Sequence, residues 1–187
     1  MSGISIIGLG NMARAIAARA VEGGNAVEVI GDAPRAGAFG SGTTTGTFGT
    51  APSGDIVILA VPRASVAPVV ARYRDALAGK VIVDITNAFS SGPTGLATPD
   101  GTASTRVVKA FNTVFGHILA QGRPLDVVVI AGEDPQAKAT VSAFIESLGL
   151  RPVDAGPLGI ARGPEHTGLV LSPPSPSPSP AAVAARS

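Results

Sequence analysis

The chain has 187 residues, 45% of them hydrophobic and 14% charged, a composition that suits one globular domain around a single core and excludes two large ones. Lys and Arg number 14 against 13 Asp and Glu, a net charge of +1 with no basic block, so the electrostatic footprint of a nucleic-acid binder is missing. Without cysteine there is no disulfide, iron–sulfur cluster, thiolate zinc site or thiol nucleophile, and with only two histidines, His117 and His166, metal catalysis is not expected.

Six short runs of β-branched residues follow one another: Ile4–Ile7, Val27–Ile30, Ile56–Val61, Val81–Ile85, Val107–Phe111 and Val127–Ala131. Unbroken apolar runs of this length suit strands buried on both faces, as in a parallel sheet covered by helices. They are far too short to cross a bilayer, and the N-terminus carries no positive segment, so a soluble cytoplasmic chain without a membrane partner is expected. Between the runs, Met12 to Glu22 places Ile16, Ala17 and Ala20 at helical spacing before Gly23-Gly24, and Ala64 to Leu77 forms a second helix ending before Gly79. A third helix has Asp134 as N-cap and Pro135 at its first position. Val141, Phe144, Ile145 and Leu148 give its apolar face, and Gly149 ends it.

The alternation predicts an α/β fold, a Rossmann-like doubly wound parallel sheet over residues 1–157, with ligands in the crevice at the carboxyl ends of the strands. Ala88 to Thr105 has no helical period and reads as a loop crossover. Residues 158–171 read as a short remnant of a C-terminal helical part, and residues 172–187, opening on Ser-Pro repeats, as a disordered tail.

Gly8-Leu9-Gly10-Asn11-Met12-Ala13 matches G-x-G-x-x-G/A directly after a strand and at the opening of a helix. Gly8 permits the tight turn, Gly10 lets the backbone approach a pyrophosphate, and Ala13 keeps helix and strand close. The phosphates would then sit on the free N–H groups at the positive end of the helix. A plain glycine turn is the competing reading. Asp32, 24 positions after Gly8, stands where a carboxylate would bond the adenosine ribose 2′-OH and repel a 2′-phosphate, favouring NAD, unless it is a helix cap or a turn residue of Asp32-Ala33-Pro34 and says nothing of the cofactor. Arg35, and Arg63 from the next loop, have the reach and charge to oppose that by holding a 2′-phosphate, although for each the solvated surface charge is the favoured reading. The next strand ends, Ala60-Val61-Pro62-Arg63 and Thr86-Asn87-Ala88-Phe89, offer walls for the nicotinamide ribose, as do Asn112 and Thr113, although Pro and Asn are also ordinary turn residues. His117 reads either as a donor to a substrate oxygen or as a solvated side chain.

No Ser/His/Asp set or close carboxylate pair is apparent, and hydride transfer between two bound rings needs none; it needs the two carbons held face to face about 3–3.5 Å apart. A non-catalytic dinucleotide-binding module would show the same residues.

The sequence resembles the NADPH-dependent coenzyme F420 reductases, also called F420-dependent NADP oxidoreductases. The segments that carry the likeness are Ile4 to Ala13, Asp55 to Pro62, Val81 to Asn87, Val107 to Thr113 and Leu150 to Leu158, of which Arg-Pro-Val-Asp-Ala-Gly-Pro-Leu is the most specific. The resemblance implies reversible hydride transfer between NADP(H) and the deazaflavin coenzyme F420, with the pyrophosphate on Gly8 to Ala13. It also implies the 2′-phosphate on the segment after the second strand and Pro62 beside the nicotinamide. Pyrroline-carboxylate reductases and the cytoplasmic domains of ferric reductases share the fold, so an NAD(P)-dependent reductase of a small imine or keto compound is the alternative activity. Three places differ from the family pattern. Asp32-Ala33-Pro34 replaces the usual Ser, Thr or Arg, the helix before the Val-Val-Lys-Ala-Phe-Asn segment is missing, and a Ser/Pro tail replaces the apolar end that helps form the deazaflavin cavity. A homodimer partner would supply the missing walls.

Overall fold

The computed structural model describes residues 3–32, 38–86, 106–112 and 127–158. In chain order they form β1 (Gly3–Ile7), α1 (Asn11–Glu22), β2 (Ala26–Gly31), β3 (Thr43–Thr47), β4 (Ile56–Leu59) and α2 (Arg63–Tyr73). A 3-10 turn (Asp75–Leu77), β5 (Val81–Asp84), β6 (Val107–Lys109), β7 (Val127–Gly132), α3 (Pro135–Ser147) and β8 (Arg151–Asp154) follow. The strands lie in one sheet in the order β3-β2-β1-β4-β5-β6-β7-β8. The chain steps outward from β1 to β3, returns to the other side of β1 as β4, and continues to β6. The switch point therefore falls between β1 and β4, where a doubly wound sheet opens its crevice.

The period of two along each strand divides the core. Ile4, Ile6, Ile56, Ile58, Val81 and Val83 pack with α1 and α3, whereas Ile7, Val57, Leu59 and Ile82 pack with Val66, Val69 and Tyr73 of α2. Each fully buried Ile, Leu or Val contributes about 1.5–3 kcal/mol of transfer free energy. On α1 the buried face is Ala13, Ala15, Ile16, Ala17 and Ala20, small enough to bring the helix axis close to the sheet. The ends of α1 and α3 abut: a Cβ on Gly23 would lie 2.1 Å from the Ser147 carbonyl oxygen, Arg19 donates to the Leu148 carbonyl at 3.0 Å, and Asn25 donates to Ser147 Oγ at 2.9 Å. Asp134 caps α3 by accepting from the Gln136 N–H at 2.9 Å, with Pro135 at the first position as expected.

Four features differ from the sequence expectations. The sheet is not wholly parallel, because β7 runs antiparallel to β6, with Lys109 opposite Ala131. Two edge strands, β3 and β8, join the six expected ones. The helix expected over Ala64–Leu77 is divided: α2 ends at Tyr73 and the chain tightens into a 3-10 turn, which keeps Leu77 buried against the sheet. Three strands stop short of their apolar runs, β4 at Leu59, β5 at Asp84 and β6 at Lys109, leaving Ala60, Ile85 and Ala110 as the first residues of crevice loops. The loop crossover over Ala88 to Thr105, the tail at 172–187 and all but the first residue of the 158–171 remnant lie outside the described residues, and no helix among the described residues is long and apolar enough to cross a membrane.

Candidate functional site

The loop after β1 is built by exclusion of side chains. Gly8 has φ +131°, a conformation open to glycine, and donates to the Ile30 carbonyl at 2.9 Å; a Cβ there would lie 2.1 Å from the Ala60 carbonyl oxygen. The ends of β2 and β4 thus close on Gly8 from both sides. Leu9 turns inward over Gly31, where an added Cβ would meet Leu9 Cγ at 2.4 Å, and so fastens the loop to the end of β2. Gly10 is the N-cap of α1, with ordinary φ (−74°), and a Cβ built on it meets none of the described residues within 4 Å. Its freedom from a side chain therefore serves no internal packing; the space lies open above the loop.

The first bond inside α1 runs from the Arg14 N–H to the Gly10 carbonyl at 3.1 Å, so the N–H groups of Asn11, Met12 and Ala13 precede the helical ladder. No side chain caps this end, and its first turn holds no acidic residue. The partial positive charge of the terminus thus meets no acidic side chain from its own first turn at the mouth of the switch point. Asn11 is exposed, Met12 half-buried against the core and Ala13 1% exposed, which lets the helix start tightly against β1.

The other candidate residues that are described stand around the same end of the sheet. Asp32 is exposed and follows β2, one strand from the glycine loop. Ala60 follows β4, its N–H donating to the Ile7 carbonyl at 2.9 Å; Val61 is half-buried, and Pro62 is exposed and caps α2. Asn112 is half-buried beyond β6. Arg35, Asn87, Thr113, His117 and His166 lie outside the described residues. Among the described residues no cluster of three or more His, Cys, Asp or Glu gathers to hold a metal.

The structure adds a pair that hydrophobic patterning concealed. Lys109 Nζ lies 3.1 Å from Asp84 Oδ2 and donates to the Thr86 carbonyl at 2.7 Å, while Asp84 Oδ1 accepts from the Thr86 N–H at 2.9 Å; the two side chains are only 8% and 4% exposed. Two residues on, Phe111 is the only non-glycine among the described residues with positive φ (60°). Its buried ring meets Phe144 of α3 edge-on at 6.4 Å. The sequence signal was a Lys and an Asp within otherwise apolar runs at the ends of neighbouring strands.

Comparison with known proteins bears on this geometry. The family described as NADP oxidoreductase coenzyme F420-dependent matches residues 3–88, which contain the glycine loop, Asp32 and Ala60 to Pro62. Over 184 residues the chain is 33% identical to the metalloreductase STEAP3 of Rattus norvegicus, an alignment covering 91% of this chain; the chain spans 37% of the length of that relative. Among solved structures, a hypothetical protein of Sinorhizobium meliloti is 29% identical with a TM-score of 0.69, covering 86% of this chain and 88% of its own. Two others share the fold. One, from Arthrobacter sp. FB24 and named as an F420-dependent NADP reductase, has a TM-score of 0.73 at 24% identity, over 91% of each chain. The other, Plasmodium falciparum pyrroline carboxylate reductase with NADP bound, has a TM-score of 0.65 at 14% identity, over 90% of this chain and 66% of its own. Residues 3–88, a little under half of the chain, are thus similar to the F420-dependent NADP oxidoreductases.

Proposed function

We propose that this chain binds NADP(H) across the β1–β4 switch point and passes a hydride between its nicotinamide ring and the deazaflavin coenzyme F420. The observation that carries the reading is the uncapped start of α1 beneath a Gly10 whose missing Cβ leaves open space, within the segment matched by the family. A pyrophosphate fits this cradle. Gly10 grants it close approach, the N–H groups of Asn11 to Ala13 donate to its oxygens, and Gly8 and Leu9 hold the loop rigid between β2 and β4. Asp32 would face the adenosine ribose, with Arg35 beyond it, and Ala60, Val61, Pro62, Asn87 and Asn112 would line the nicotinamide half. NADP(H) supplies the hydride itself. The protein's task is to fix the ring, hold the acceptor carbon in line and exclude water, a task that needs neither a nucleophile nor an acid–base pair.

The test is NADPH- and NADH-driven reduction of F420 by the purified protein, run beside a flavin and a cyclic imine as acceptors. Turnover with F420 supports the reading. Turnover with another acceptor alone assigns a different reductase, and binding without any turnover assigns a dinucleotide-binding module. No membrane or nucleic-acid partner enters this reading, and a homodimer would complete the acceptor's pocket in a cytoplasmic enzyme.

A further inference from the structure

We infer that Lys109 is a positioning residue for the nicotinamide half of the crevice, acting through Thr86 and the Phe111-Asn112 turn; this rests on the dinucleotide reading above. In a doubly wound sheet the strands on one side of the switch point carry the adenosine half and those on the other carry the second half. Here β4, β5 and β6 form that second half, and the Lys109–Asp84 pair sits at the carboxyl ends of β5 and β6. One ammonium ties three things: the Asp84 carboxylate on β5, the Thr86 carbonyl that β5 leads into, and the β6 backbone from which Lys109 itself projects. Asp84 adds the Thr86 N–H, and its own carbonyl accepts from the Ala110 N–H at 3.2 Å, so both loop starts are held to one another.

Packing does not call for a charge pair there. The rest of β5 and β6, Val81, Ile82, Val83, Val107 and Val108, is buried and apolar, and an apolar pair would fill two more positions at equal or lower cost. Beside the pair, Phe111 takes a left-handed conformation that a bulky residue adopts only when its surroundings impose it. Two stability-costing devices thus meet at the crevice end of adjacent strands, and each fixes the direction in which a loop leaves the sheet. Fixed strand ends are what a ring needs if it is to present one carbon to an acceptor.

The experiment compares NADPH with 2′-phospho-ADP-ribose, which lacks only the nicotinamide, and NADH with ADP-ribose in parallel, by calorimetric titration of the full chain. In the variant Lys109→Met/Asp84→Leu the fragment's affinity is expected to stay within about twofold, while the advantage of the whole dinucleotide over its fragment falls about tenfold or more. If the apolar pair fails to fold, Lys109→Gln/Asp84→Asn, whose shorter amide cannot span Asp84 and the Thr86 carbonyl together, is expected to show the same selective loss. A purely structural pair would lower the melting temperature and weaken both ligands alike. An unchanged ratio, or parallel loss of both ligands, would overturn the assignment. Wild-type protein that binds neither dinucleotide would overturn the underlying reading and this one with it.

Discussion

Replacing Gly10 by Ala separates stability from binding more cleanly than any other change in the loop. The residue has φ −74°, and the added methyl meets no atom of the described residues within 4 Å. At an N-cap, Ala is worse than Gly by about 0.5–1 kcal/mol, offset by about 0.4–1 kcal/mol from the restricted unfolded chain. The net effect is about 0.5 kcal/mol or less, and at about 2–4 °C per kcal/mol for a domain of this size the melting temperature moves by about 2 °C at most. The methyl does occupy the space a diphosphate would use. Loss of two hydrogen bonds to a charged group, at about 1.5 kcal/mol each, weakens NADPH about a hundredfold. With NADPH at a hundred times the wild-type Kd, wild type gains about 2.7 kcal/mol, or roughly 5–11 °C, and Gly10→Ala keeps about 0.4 kcal/mol, or roughly 1–2 °C. Gly8→Ala is the contrasting control. Its Cβ would lie 2.1 Å from the Ala60 carbonyl oxygen at φ +131°, so strain and overpacking remove about 2–6 kcal/mol without ligand. Thermal unfolding of the three proteins with and without NADPH decides the matter; a full ligand-induced shift in Gly10→Ala would refute the placement of the pyrophosphate on this loop.

Other expectations follow from single contacts. Asp32→Ser should raise the ratio of NADPH to NADH affinity, measured by parallel titrations, because an exposed carboxylate at the end of β2 repels a 2′-phosphate; an unchanged ratio would show that Asp32 faces elsewhere. Phe144→Ala should cost about 3–5 kcal/mol in denaturant unfolding, since the ring is 2% exposed and supports Phe111, and a loss under about 1 kcal/mol would contradict that packing. At Asp154, desolvation raises the carboxyl pKa, but the Lys138 hydrogen bond, the Gly156 N–H and the Lys138 charge together outweigh it and hold it below the usual aspartate value. A lowered folded pKa stabilises the fold above the unfolded value, and that gain is lost as pH falls through the folded one. With Asp154 half exposed, Asp154→Asn should cost less than about 1 kcal/mol at neutral pH and nothing in acid, and a cost that persists in acid would rule out the pairing as its source.

The central strands were legible because they are buried on both faces, so β1, β2, β4 and β5 announce themselves as unbroken β-branched runs. The edge strands were not. Thr43-Thr-Thr-Gly-Thr is β-branched but polar and largely solvent-facing, as an edge position allows, and a Pro in Arg151-Pro-Val-Asp is compatible only with an edge strand. The strand ends were overrun for a related reason: hydrophobic patterning continues through Val61, Ile85 and Phe111, whereas the ladder stops where the chain turns into the crevice. The antiparallel pairing of β6 with β7 had no local signature, since both strands are short apolar runs that read alike in either direction. At the site, the glycine loop was legible as far as the roles of Gly8, Gly10 and Ala13, because each rests on a missing or small side chain at fixed spacing. Lys109 with Asp84 was not, since their pairing depends on β5 and β6 being neighbours in register, Asp84 opposite Lys109.

The most direct test of hydride transfer is isotopic. F420 is incubated with the purified protein and NADPH carrying deuterium at nicotinamide C4, in separate samples for its two faces, and the reduced deazaflavin is weighed by mass spectrometry. The expected result is one deuterium in the reduced deazaflavin from one face of the donor and none from the other, as direct transfer between stacked rings requires. Reduced deazaflavin without label from either face, or no reduction, would contradict direct hydride transfer in this crevice.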